Sequence, residues 1–324
     1  MTSEPPRIVP RRIFIVLSAV CFSGVFAAGV LAMVSSGVAG GRAVIVHHYL
    51  LSFAVNWPAF VGWTLIAFAP RPWRLLRRHP VAIGILVVLL PAVEPVFSQA
   101  MFAVYGTATI AEVPEAVLTS LGNFFGSTNA GWALLWSSVE HTVAMAVGLR
   151  AYALWSRQGW YRPETSPPQR MSPPSIRTLM TASVVFAGLL AGRRVVAAMS
   201  AVDGEVVENG GAALGEFFFG FLVSIAMAGV FAGLLTRRWK AAAAWSGSVL
   251  AGMGVFLGIM VATLDMTLPP EAYLSFVFGT VLVLAMPATT AGLFQWAAIR
   301  LSDAGVSGAS DVVRPLSVDD AADA

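Results

Sequence analysis

Apolar runs of twenty or more residues recur along the whole chain, and no other feature narrows its fold as far. A helix of about 20 apolar residues crosses the hydrocarbon core of a bilayer. Composition agrees with that reading. Hydrophobic residues make up 57% of the 324 and charged residues only 11%, with a mean hydropathy of +0.76. A soluble domain of this length would need far more charge to cover its surface. The chain is therefore expected to be all-α, a polytopic integral membrane helix bundle in contact with lipid.

Eight spans are expected, in two groups of four. A basic tail, 1–12, precedes the first half, 13–155, with helices over about 13–38, 44–68, 81–105 and 131–155. The first run is longer than the roughly 7–15 apolar residues of a cleaved leader, so it reads as an uncleaved helix. Residues 106–128 are polar, and the stretch within them that starts at Glu115 reads as an interfacial helix lying on the membrane. A linker, 156–177, follows, and its proline pairs 167–168 and 173–174 forbid a continuous helix. The second half, 178–300, carries helices over about 178–201, 211–235, 241–264 and 272–299, the last holding Pro287. The tail, 301–324, is acidic, lacks an apolar period and reads as disordered.

Lys and Arg are sorted by position. They gather in the N-terminal tail, the 2–3 turn RPWRLLRRHP, the linker, the 6–7 turn and the C-terminal region. Eight spans put all of these on one side, and basic loops mark the cytoplasm. Both termini are expected there, in a cytoplasmic-type cell membrane. The opposite side holds Arg42 and many acids, among them Glu112, Glu115, Asp203, Glu205, Glu208 and Glu271, with Glu216 and Asp265 at its edge. This sorting accounts for the net charge of +3 without nucleic acid as a partner.

Charge inside the spans is the most informative local feature, because each such residue costs roughly 2.5–3.5 kcal/mol to insert. The fourth span carries Glu140 and His141 near its middle, the third carries Glu94 between Pro91 and Pro95, and the fifth carries Arg193 and Arg194. Glu94, Glu140 and Arg193 each fall about ten residues, roughly 15 Å, from the outer end of their helices. Two acids and a base at one depth suggest a shared layer with His141 nearby, either a binding site or a cluster that pins helices together. Arg194 points about 100° away and can snorkel outward. A direct Glu140–Arg193 pair is expected, because an Arg stays charged and must find a partner.

His47 and His48 are secondary candidates near the outer end of the second span. Adjacent residues do not share a helix face, so the two make a poor metal site. No other His sits at their depth, which argues against haem, and the single Cys21 excludes an internal disulfide. No cofactor or metal pattern is present, nor any phosphate-binding loop, Gly-x-Ser-x-Gly or His-Glu-x-x-His. Asn56 and Pro58 could line a cavity within the second span or merely bend it. In the fourth span Ser137, His141, Ala144 and Gly148 form one small, polar stripe that must face protein. Gly-x-x-x-Gly pairs at Gly188/Gly192, Gly229/Gly233 and Gly254/Gly258 let helices pack closely, within the chain or in a homo-oligomer.

Three functions compete. A permease for a small solute, ion or proton would use the buried charged layer. A sensor or regulatory subunit would bind through the acidic loops. An intramembrane enzyme would need a catalytic group that the sequence does not display. The permease is favoured, because a pure receptor has no need of charge at that depth.

Overall fold

The computed structural model describes residues 11–35, 41–78, 80–85, 89–126, 130–161, 163, 175–200, 210–264 and 270–302. Residues 1–10 and 303–324, the proline pairs of the linker, His79, the acids of 201–209 and Asp265 lie outside the described residues. The described chain is almost wholly helical: α1 (Arg11–Ser35), α2 (Gly41–Ala67), α3 (Pro72–Arg78), α4 (Pro80–Gly84), α5 (Leu90–Tyr105), α6 (Val113–Gly126), α7 (Ala130–Ser156), α8 (Ile176–Ser200), α9 (Gly210–Leu235), α10 (Trp239–Leu264) and α11 (Pro270–Trp296). A 3-10 turn, Ile110–Glu112, leads into α6. Four of these helices contain stretches long and apolar enough to cross a membrane, Ile13–Ser35, Val44–Ala67, Phe217–Leu235 and Phe276–Trp296.

The helix boundaries differ from the sequence expectation in two places. The third expected span is not one regular helix. Its described parts are α4 and α5, with π-type backbone at Ile85 and Leu89. Pro91 at the start of α5 has no N–H to donate backwards, so one helical hydrogen bond is missing there. The last span ends at Trp296, not 299. There the chain turns through Ala298 in the left-handed region (φ 55°) and enters a short strand.

α2, α7, α9 and α11 form the centre. Phe60, Phe68, Phe231 and Phe294 are fully buried, and the Phe231 ring meets Phe68 at 5.4 Å and Phe294 at 5.2 Å, both edge-on. α7 lies against α9 through small residues. A Cβ on Gly148 would fall 2.7 Å from the Phe221 carbonyl oxygen, so only glycine permits this approach. Outside this centre the large apolar side chains face outward: Phe22 and Phe26 on α1, Met180 and Val184 on α8, Val255 on α10. So broad an apolar exterior suits lipid as the surrounding solvent.

The C-terminal ends of α2, α7, α9 and α11 gather at one end of the bundle. There β1 (Trp160–Tyr161) pairs antiparallel with β2 (Arg300–Leu301), in the register Trp160–Leu301 and Tyr161–Arg300. Ser302 N–H donates to the Gly159 carbonyl, and Gly159 N–H donates to Ser302 Oγ, each at 2.9 Å. The last carbonyls of α2 would otherwise lack donors. Trp160 Nε1 donates to Leu65 O at 2.7 Å, and Arg150 Nη1 donates to Ala67 O at 2.6 Å and Ala69 O at 3.0 Å. α9 and α11 end in paired return hydrogen bonds, Arg238 N–H to Gly233 O and Ile299 N–H to Phe294 O.

Candidate functional site

α7 presents Trp136 and Glu140 one turn apart on a single face, as residues at i and i+4 do. Opposite them stands Arg193 of α8. Arg193 Nη1 lies 2.6 Å from Glu140 Oε2, and Trp136 Nε1 donates to Glu140 Oε1 at 2.9 Å. Both carboxylate oxygens thus hold a donor. The side chains are largely enclosed, Glu140 being 9% exposed and Arg193 20%. Gly192 makes the arrangement possible. A Cβ there would sit 2.2 Å from Trp136 Cζ2, so its absence lets the indole lie flat against α8.

Glu94 is held apart from this pair, on α5. Its carboxylate accepts a short hydrogen bond from Ser52 Oγ and another, at 2.9 Å, from Asn56 Nδ2. Ser52 and Asn56 are again i and i+4, on the face of α2 that meets α5. Among the described residues no cationic side chain pairs with Glu94. Each of the two helices carries a proline close by, Pro95 in α5 and Pro58 in α2.

The single charged layer expected from depth therefore resolves into two separate groups. His141 joins neither through a hydrogen bond. Its Nδ1 donates to the Ser137 carbonyl at 2.8 Å, one turn back on its own helix, and the ring is exposed with Cδ2 towards Gly220 of α9. The stripe of Ser137, His141, Ala144 and Gly148 does face protein at its lower end, where Ala144 and Gly148 pack on α9.

The remaining candidates are dispersed. His47 is fully buried against Phe102 and Tyr105, and neither ring nitrogen finds a hydrogen-bond partner among the described residues. His48 turns instead to Tyr49, ring to ring at 5.4 Å. Arg194 is exposed on α8. Glu216 lies on α9, and Asp265 falls outside the described residues. No group of three His, Cys, Asp or Glu side chains gathers among the described residues.

Of the glycine pairs, Gly229 and Gly233 pack closely on α10. Cβ atoms there would lie 2.3 Å from the Trp245 ring and 2.7 Å from Ala242 N. Gly188, Gly254 and Gly258 face open space, so those three do not seat a helix of the same chain.

Two partners escaped the sequence reading. Trp136 was within reach of it, being one turn from Glu140 on the same face. Ser52 was less so, since nothing local marks which acid it serves.

No family model, curated protein or solved structure matches the chain. Fold and site together define a class and no narrower identity: an all-α chain whose apolar helices suit insertion in a membrane.

Proposed function

We propose that the chain is a multi-pass permease for a small solute, coupled to a proton or a cation, with Glu94 as the ion-binding group. The observation that carries this reading is a half-buried carboxylate on an apolar helix, with no cationic partner among the described residues, met by neutral Ser52 and Asn56. Charge at that depth is expensive and is generally retained for use. A carboxylate and a neighbouring hydroxyl offer the hard oxygen atoms that a proton or small cation prefers, while the Asn56 amide N–H orients the carboxylate. Pro58 and Pro95 each leave a backbone carbonyl without its helical donor in the same region, as prolines do in helices that line a binding site. Glu140 and Arg193 act in this scheme as a fixed post between α7 and α8. The protein sits in a cytoplasmic-type membrane with both termini inside, as the sorting of Lys and Arg supports.

The second reading is a membrane-embedded sensor or regulatory subunit. It is favoured by the pairing of Glu140 with Arg193, which fills both carboxylate oxygens with fixed donors and neutralises the charge. Flux separates the two. Proteoliposomes holding a pH-sensitive dye are challenged with pools of small organic solutes. The wild type is expected to move protons with at least one pool, and Glu94→Gln to lose that flux at equal folded amount. Wild-type flux from Glu94→Gln, or silence for every pool in vesicles that respond to a control ionophore, removes the permease reading.

A further inference from the structure

We infer that the end of the bundle carrying the two-stranded sheet holds a binding site for a phosphate ester, fitted to the headgroup of an anionic lipid. A cavity of about 540 Å³ opens there between the ends of α9 and α11 and the β1–β2 pair. That volume suits a headgroup or a small metabolite. Its polar lining is rich in donors: Arg237, Arg300 and the Tyr161 phenol, with no acidic residue among the described ones. Arg237 and Arg300 are exposed and unpaired among the described residues. The other side-chain donors of the lining are turned inward to backbone carbonyls. Thr236 Oγ1 donates to Ala232 O at 2.7 Å, and Gln295 Nε2 donates to Leu234 O at 3.2 Å.

Two forked guanidinium groups and a hydroxyl donor match the oxygens of a phosphate, which Arg can engage bidentately. The backbone fixes their placement. Arg237 sits in the left-handed region (φ 58°) because the closing turn of α9 demands it, and Arg300 is paired by strand register with Tyr161. The remaining wall is apolar, formed by Leu235, Ile299 and Leu301. A cationic rim over an apolar wall fits an amphiphile better than a bare anion. Exposed Trp155, Trp239 and Trp296 stand at the same end of the bundle. Tryptophan collects at the headgroup level of membranes, and basic pockets between helices there bind lipid headgroups.

The site is tested on the purified full chain in detergent, by thermal stability and by native mass spectrometry. One arm adds phosphatidylglycerol, a second adds phosphatidylcholine, and a third adds glycerol 3-phosphate without acyl chains. Arg237→Gln, Arg300→Gln and the double variant are compared with Arg77→Gln, an exposed arginine outside the cavity. Phosphatidylglycerol is expected to be retained and to raise the melting temperature, and phosphatidylcholine to do neither. Each single variant should weaken retention about five-fold and the double about 25-fold, with Arg77→Gln near wild type. Saturation by glycerol 3-phosphate at comparable concentration would support the same phosphate site and identify its occupant as a soluble ester. Equal retention by wild type and double variant, or an equal loss in Arg77→Gln, overturns the inference. Arg300→Gln lies on an exposed strand position, so it keeps the test open if the Arg237 variant fails to fold.

Discussion

Replacing Arg193 by Gln strips Glu140 of its cation and leaves one donor, Trp136, on the carboxylate. Breaking a fully buried ion pair by removing one partner costs about 3–5 kcal/mol. Here the Arg193 side chain is 20% exposed and the pair is only partly enclosed, so the loss shrinks to about 2–3 kcal/mol for Arg193→Gln. Glu140→Gln should cost a similar amount, because it leaves a guanidinium that cannot shed its charge. The double variant has no charge left to strand, and its two amides can hydrogen-bond to each other. It should lose only about 2 kcal/mol, giving a coupling of about 3 kcal/mol. Trp136→Phe should cost about 1 kcal/mol as a lost hydrogen bond while leaving most of that coupling intact. Reversible unfolding of the purified variants in mixed micelles, followed by helix content, measures all of these. Losses that add within about 0.5 kcal/mol would refute the reasoning, because independent sites behave that way.

The glycines divide by what they face. Gly192→Ala should destabilise by about 1–3 kcal/mol in the same assay, since its Cβ would strike the Trp136 ring, and Gly233→Ala should do likewise against the Ala242 backbone. Gly258→Ala, in open space, should be neutral or stabilising by about 0.5–1 kcal/mol. A clear loss at Gly258, with a change in oligomer size on gel filtration, would place that face against a second copy of the chain. For topology, reporters inserted at 106–128 and 203–208 should read as external, and those at 164–174 or after residue 302 as cytoplasmic. An externally labelled linker would overturn the eight-span count.

Much of the architecture was legible because lipid imposes a simple demand. A run of apolar residues long enough to cross the hydrocarbon must be helical, since no water is there to hydrogen-bond its backbone. The runs therefore anticipated α1, α2, α7, α8, α9, α10 and α11 to within a few residues. Proline marked the third run, and Pro91 stands at the start of α5. The strands Trp160–Tyr161 and Arg300–Leu301 left no trace, because two residues are too short to show a period.

For the site, the sequence by itself determined which residues had to find partners. A carboxylate or guanidinium within a long apolar run carries a desolvation cost wherever the helix packs, so Glu94, Glu140 and Arg193 stood out from position alone. Which partner each one met was decided by tertiary structure. Depth along an axis is one coordinate, read at about 1.5 Å per residue. The rotation of each helix and the choice of its neighbours are set by packing summed over many side chains. That packing brought Arg193 to Glu140 through the gap left by Gly192, and gave Glu94 to Ser52 and Asn56 on α2. It separated one apparent layer into a paired clamp and an acid with neutral partners, a distinction no spacing along the chain could make.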